Sequence, residues 1–331
     1  MRITDLPFFE PTGLGLFICA FFHSTNTNEW GAITLSHIHR RTTAANLLTA
    51  CADLLRCPVC TRPMSVVNNT NLTCANKHSY DISKYGYVNL LSRPASTKYG
   101  KPLFESRHII SEHGLFEPMD HWISQYIQRS SQSCCRPVAL LDAGCGEGSH
   151  LSYIHERLTS IYGHTGIVGV GLDIAKEGVA MASKRDSSLV WLVADLARSP
   201  LSDDRFDYIL NFLSPSNYAE FGRLLKEDGR IIKVVPGPDY LRELRTLLYG
   251  EPNKSPHSSQ GIQDRFLEHF QLVDSQRLYY KRRLDRELTR HLVHMTPLSW
   301  GADAERLHDA LQVDSLEITV DLAVLIGKEK E

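Results

Sequence analysis

The stretch LLDAGCGEGSHL, Leu140 to Leu151, decides the fold. An apolar run that begins at Val138 enters an acid, Asp142, after which Gly144, Gly146 and Gly148 alternate with other residues and a helical pattern starts. That order predicts a buried strand, a sharp turn and a helix. Glycines let a ligand approach the turn's backbone closely, and the helix start turns unpaired N–H groups toward it. A glycine-rich turn alone would also suit a nicotinamide site. The spacing here is G-x-G-x-G instead of G-x-G-x-x-G, and Asp142 precedes the first glycine by two.

Outward from this turn the pattern repeats. SHLSYIHERL reads as a helix, IVGVGLD as a strand, AKEGVAMASKR as a helix, and VWLVAD and FDYILNF as strands. NYAEFGRLLKEDG reads as a helix ending at its glycine, RIIKVV as a strand, and SLEITVDLAVLIG near the C-terminus as one more long strand. Alternating units of this length predict a doubly wound α/β domain with a mostly parallel sheet, assigned to residues 130–331. Asp173 ends the second strand, where a carboxylate can accept from ribose hydroxyls, and Asp195 ends the third, where adenine is contacted. Taken singly, either acid could be a turn or helix-cap residue. Cys145, between the glycines, reads as inert packing.

Ahead of this domain, Cys57-Pro-Val-Cys60 and Cys74-Ala-Asn-Lys-His78 form a C-x2-C-x13-C-x3-H array. Three thiolates and an imidazole make a closed tetrahedral site with no open position, the kind that holds one structural Zn2+ per chain. Four unrelated side chains are the bland alternative. Residues 44–92 are assigned to this zinc-binding, RNA-recognition module, which is too small to fold on its core alone. Residues 93–129 are assigned to a linker and helices. The remaining cysteines are scattered, unlike a disulfide framework, which points to a reducing cytoplasm. Residues 1–43 are expected to be a poorly ordered extension. Its apolar run, Leu14–Phe22, falls far short of the roughly 20 residues a spanning helix needs, so no membrane partner is expected.

These motifs together resemble the bacterial 23S rRNA guanine-N1 methyltransferases of the RlmA type, a branch of the class I S-adenosylmethionine-dependent methyltransferases. The residues that carry the likeness are CPVC…CANKHSYDISKYGYVNLL (57–91), LFESRHIISEHGLFEPM (103–119), LLDAGCGEGSHL, the 213–244 segment LSPSNYAEFGRLLKEDGRIIKVVPGPDYLREL and HMTPLSW (294–300). The resemblance implies a Rossmann-like, seven-stranded sheet whose last strand is antiparallel. It implies zinc on Cys57, Cys60, Cys74 and His78, and S-adenosyl-L-methionine contacts from Phe116, Gly146, Glu147 and Tyr240, beside the cofactor residues expected from the turn and the strand ends, Asp142, Gly144, Gly148, Asp173 and Asp195. Phe116 stands where the family often has Tyr, and Tyr240 where it often has His; both keep a ring but change the hydrogen bonding.

The net charge of -2 excludes a protein that binds polyanions over its whole surface. Between Leu54 and Ile110, however, eight Lys/Arg face two acids, interleaved with Tyr80, Tyr85, Tyr87 and Tyr99. Cations for phosphates and rings for exposed bases suit an RNA loop. A second run, Lys281-Arg282-Arg283 with Arg286 and Arg290, could extend that surface, and either run could be a plain solvated face. The expected function is methyl transfer to N1 of a guanine in 23S rRNA or its assembly precursor, with a second copy of the chain as a candidate partner. Asn211 and Ser214 in the loop after the fourth strand are expected to hold the base, and Trp300 to stack on it. Two other readings stand beside it: methylation of another RNA or a small metabolite, and a non-catalytic, zinc-stabilised RNA-binding protein with a relic cofactor fold.

Overall fold

The computed structural model describes residues 29–330 apart from 96, 132–135, 164–165 and 251–258. Helix α1 (Glu29–Ala50) leads into a small antiparallel sheet of β1 (Met64–Val67), β2 (Asn71–Cys74) and β3 (Ser79–Asp81), and β4 (Val88–Asn89) leaves that sheet. Helices α2 (Lys101–Glu112) and α3 (Glu117–Ser130) are separated by Gly114, whose φ of +76° ends the first. The alternating domain then runs β5 (Val138–Ala143), α4 (Ser149–Tyr162), β6 (Ile167–Asp173), α5 (Lys176–Arg185), β7 (Val190–Val193), β8 (Phe206–Phe212), α6 (Tyr218–Leu224) and β9 (Leu225–Pro236). It closes with α7 (Arg242–Tyr249), α8 (Ser259–His269), β10 (Phe270–Asp285), α9 (Arg286–Met295), α10 (Ala304–Gln312) and β11 (Ser315–Glu329).

The main sheet has the order β10-β11-β9-β8-β5-β6-β7-β4. β11 enters antiparallel between β9 and β10, which makes it the reversed strand that the resemblance implied. β5, buried at all six positions, lies at the centre, as its unbroken apolar run requires. Its neighbours β6 and β8 run parallel to it, the strand pairing of a doubly wound sheet.

The sheet has eight strands among the described residues, not seven. The extra one is β4, which pairs parallel to β7 through Val88 with Leu192 and Asn89 with Val193. The N-terminal module is thereby stitched to the edge of the sheet. It also shares apolar packing with one sheet face: Leu48, Leu54, Leu55 and Leu72 lie in one buried cluster with Leu141, Val170, Leu192 and Leu201.

Three local readings need correction. The extension expected through residue 43 contributes its last residues to α1, which begins at Glu29; residues 1–28 lie outside the described part. The helix expected through Gly229 stops at Leu224, because Leu225 pairs with Phe206 and Lys226 donates to Asp207 at 2.8 Å, pulling the backbone into β9. Strand β10 was not anticipated. It is an edge strand with most residues exposed, so it lacks the apolar run that marks the central strands. No helix among the described residues is long and apolar enough to cross a membrane.

Candidate active site and metal centre

The chain between β5 and α4 turns as the glycines predict. Gly144, Gly146 and Gly148 have φ of +90°, +54° and +85°, values L side chains rarely adopt. A Cβ on Gly144 would collide with the hydroxyl of Ser214, and one on Gly148 would lie 2.5 Å from the Trp191 ring. Two of the glycines therefore serve packing inside the protein as well as access to a ligand. Asp173 braces the turn: its carboxylate accepts from the Gly146 N–H at 2.8 Å and from the Ala175 N–H at 2.8 Å. Asp142, at the end of β5, is 1% exposed, and neither of its oxygens has a hydrogen-bond partner among the described residues. Burial pushes its carboxyl up to about 8. A buried acceptor left without a donor is costly unless a ligand supplies one.

The other expected cofactor residues are more dispersed. Glu147 is buried and accepts from the Ser149 N–H and hydroxyl at 3.1 and 2.6 Å, and lines a cavity of about 560 Å³ with His108, Ser152, His155 and Arg185. Asp195 is exposed and accepts from the Ala197 N–H at 2.8 Å, the cap geometry weighed as its alternative role. Phe116 is buried at the start of α3, its ring edge-on to His150 at 5.3 Å. Tyr240 lies in the turn after β9, where burial raises its hydroxyl's pKa and Arg107 partly offsets the rise.

The loop after β8 carries the two residues expected to hold the base. Asn211 is fully buried. Its amide donates to the Ala143 carbonyl at 2.6 Å and the Pro215 carbonyl at 3.2 Å, and its oxygen accepts from Ser216 at 2.9 Å and Lys233 at 2.5 Å. The side-chain amide and oxygen of Asn211 are thus engaged with the loop and its neighbouring strands. Ser214 is half-buried against Gly144, at the border between the loop and the glycine turn.

Trp300 is 47% exposed, its ring tilted against Tyr99 at 5.5 Å, with Lys98 5.9 Å above it. Arg107 continues this ridge: its guanidinium lies 5.6 Å from the Tyr99 ring and 5.9 Å from the Phe104 ring. A Cβ on Gly146 would sit 3.8 Å from the same guanidinium, so Arg107 joins the ridge to the glycine turn. In the sequence Arg107 was one cation among eight. Lys233 and His150 were also missed, because a lysine inside an apolar strand and a histidine after a glycine turn carry no motif. The second basic run is largely engaged within the chain: Lys281 pairs with Glu317 at 2.6 Å, Arg286 with Asp314 at 3.7 Å, and Arg290 donates to the Leu311 carbonyl at 3.0 Å.

The four metal-ligand candidates converge. Potential ligand atoms of Cys57, Cys60, Cys74 and His78 all lie within 4.8 Å of one another. The His78 Nδ1 is 3.4 Å from both the Cys57 and Cys74 sulfurs, and the Cys60 and Cys74 sulfurs are 3.6 Å apart. A tetrahedral zinc with Zn–S bonds of about 2.3 Å would separate its ligand atoms by roughly 3.5–3.8 Å. Each ligand pair sits on a tight turn with one left-handed residue, Thr61 at φ +58° and Lys77 at φ +64°. The donor set and spacing fit one structural zinc, and the orphaned Asp142 beside the open glycine turn fits a cationic cofactor.

Two family profiles match the chain, one described as RlmA, N-terminal, a zinc ribbon, over residues 55–101, and one described as Methyltransferase domain over residues 141–234. A candidate 23S rRNA (guanine-N(1)-)-methyltransferase of Bacillus subtilis is 41% identical over 277 residues, 83% of this chain and 97% of that protein. The 23S rRNA (guanine(748)-N(1))-methyltransferase of Streptomyces fradiae is 30% identical over 255 residues, 76% of this chain and 88% of that protein. A third candidate enzyme of this kind, from Micromonospora griseorubida, is 28% identical over 290 residues, 83% of this chain and 96% of that protein.

Proposed function

The chain belongs to the RlmA-type family of 23S rRNA guanine-N1 methyltransferases, and from that membership we propose that it transfers the methyl group of S-adenosylmethionine to N1 of a guanine in 23S rRNA or its assembly precursor. The observation that carries this reading is that relatives bearing this name match the zinc ribbon and the catalytic domain together, over nearly their whole length. That 23S rRNA is the substrate also gives a use to the cationic aromatic ridge of Lys98, Tyr99, Arg107 and Trp300. The setting for the reaction is the cytoplasm, where that RNA is assembled.

When bound, the cofactor supplies an electrophilic methyl group on a sulfonium; the protein supplies orientation and exclusion of water. Asp142 gives the cofactor two buried oxygens without partners, on a carboxyl that burial keeps largely protonated until a cation sits beside it. Asp173, already fixed by Gly146 and Ala175, presents its remaining acceptor capacity to the ribose hydroxyls. The loop of Leu213 and Ser214 borders the glycine turn and is held from behind by Asn211 and Lys233, so its position relative to the target base is set before RNA arrives. Tyr99 and Trp300 offer ring faces to unpaired bases, and Lys98 and Arg107 offer charge to their phosphates.

The test is mass-spectrometric mapping of 23S rRNA from cells with and without the gene, followed by treatment of the unmodified RNA with purified protein and S-adenosylmethionine. One N1-methylguanosine should vanish with the gene and return in vitro. An unchanged rRNA map would reject 23S rRNA as substrate and redirect the search to transfer RNA or small molecules.

A further inference from the structure

The geometry points to His150 and Asp142 as a matched pair for the amino-acid end of S-adenosylmethionine, Asp142 taking its ammonium group and His150, positioned by Asp120, taking its carboxylate. This inference rests on the cofactor reading above and adds to it a residue that no motif marks.

His150 is the second residue of α4, directly after the glycine turn. Its Nδ1 faces both oxygens of Asp120, at 2.9 and 3.1 Å. Asp120 is 4% exposed, on the first turn of α3. The ring is fixed on two further sides, edge-on to Phe116 at 5.3 Å and tilted against Phe212 at 4.7 Å. Its other nitrogen, Nε2, makes no hydrogen bond among the described residues.

Asp142 offers the complementary problem: two buried oxygens and no donor. The two side chains lie close enough for each to perturb the other's ionisation, yet they do not bond to each other. Burial opposes protonation of His150, but the charge and hydrogen bond of Asp120, joined by the charges of Glu147 and Asp142, outweigh it and raise the ring to about 9, which favours the cation at neutral pH. A carboxyl whose oxygens have no donor and a cationic donor without an acceptor thus lie within electrostatic reach of each other, on the two sides of the glycine turn. A plain amine would satisfy only the first and a plain carboxylate only the second. A free α-amino acid group, with both charges on one carbon, satisfies the two together. A protonated imidazole has no lone pair at Nε2, which makes His150 a holder of the cofactor and not the acceptor of the guanine N1 proton.

Isothermal titration of the full-length zinc-loaded protein tests the pairing with three ligands: S-adenosylmethionine, its decarboxylated form and 5′-methylthioadenosine. In the unaltered protein, loss of the carboxylate should weaken binding about 30-fold, the size expected for one charged hydrogen bond. His150→Phe should lose about 30-fold for S-adenosylmethionine and under 2-fold for the decarboxylated form, while His150→Gln, which keeps a neutral donor, recovers part of the loss. Asp142→Asn should weaken both ligands that carry the ammonium and spare 5′-methylthioadenosine. Equal affinity of the unaltered protein for S-adenosylmethionine and its decarboxylated form overturns the inference even if a variant does not fold. No binding of any of the three by the unaltered protein would instead overturn the cofactor reading beneath it.

Discussion

Lys233 reaches out of the interior of β9 and donates to the side-chain oxygen of Asn211 at 2.5 Å, and the same ammonium donates to the Ser214 carbonyl at 2.5 Å. It is 3% exposed and has no carboxylate partner among the described residues. A buried lysine with neutral acceptors only is an expensive way to fix a loop, and its position behind the candidate substrate loop gives it a purpose.

Burial holds Lys233 down to about 8, against about 10.4 for a lysine in an unfolded chain. Between those two values the unfolded chain binds more protons than the folded one, so the part of stability that depends on Lys233 rises with pH there. The expected outcome is that the melting temperature of the unaltered protein, relative to Lys233→Met, climbs from pH 8 to 10. The same variant should lose about 10-fold in methyl-transfer rate, since the Ser214 carbonyl loses its donor and the loop its anchor. A pH-independent difference in melting temperature would mean that Lys233 is not buried as described.

Removal of the metal should destabilise more than the zinc module. Leu48, Leu54, Leu55 and Leu72 share a cluster with strands of the catalytic sheet, and β4 is one of its edge strands. Cys57→Ser combined with Cys60→Ser removes two ligands and much of a structural zinc's binding free energy, on the order of 10 kcal/mol for isolated modules. Each kcal/mol lowers the melting temperature of a domain this size by about 2 °C. Calorimetry of the variant should show one transition displaced downward by more than about 5 °C, with zinc absent by elemental analysis. Two separate transitions, the upper one unmoved, would show that the module and the sheet unfold independently.

The sequence made the central strands legible because a strand buried on both faces must be apolar throughout, and the zinc ligands legible because two tight turns fix their spacing. Other features depend on distant partners. Gly171 and Gly148 are needed because the Trp191 ring fills the space beside them, a contact that neither local sequence announces. The switch from helix to strand at Leu225 is decided by pairing with Phe206, against a local pattern that favours helix. Asn211 stands where a substrate-binding residue was expected, but only the tertiary structure reveals Lys233 and the Ala143 carbonyl as its partners. The pairing of Asp120 with His150 spans 30 residues of chain and two helices, with no periodicity to betray it.

Trp300 offers the cleanest separation of RNA binding from cofactor binding. Its ring is half-exposed and, among the described aromatic rings, rests on Tyr99 alone, so Trp300→Ala should leave the melting temperature within a degree or two. A lost base–aromatic stack costs about 1–3 kcal/mol, which predicts an affinity for a 23S rRNA fragment roughly 10-fold weaker. Cofactor affinity should stay within 2-fold. Lys98, 5.9 Å from the same ring, provides the contrast: Lys98→Ala should reduce the slope of log affinity against log salt by about 0.7, the value for one contact to single-stranded phosphate, whereas Trp300→Ala should leave the slope unchanged. Fluorescence anisotropy across a salt series reads both quantities. Unchanged affinity in Trp300→Ala would remove the ridge from the RNA path. A changed slope in that variant would mean that the ring acts by orienting Lys98 toward a phosphate and not by stacking on a base.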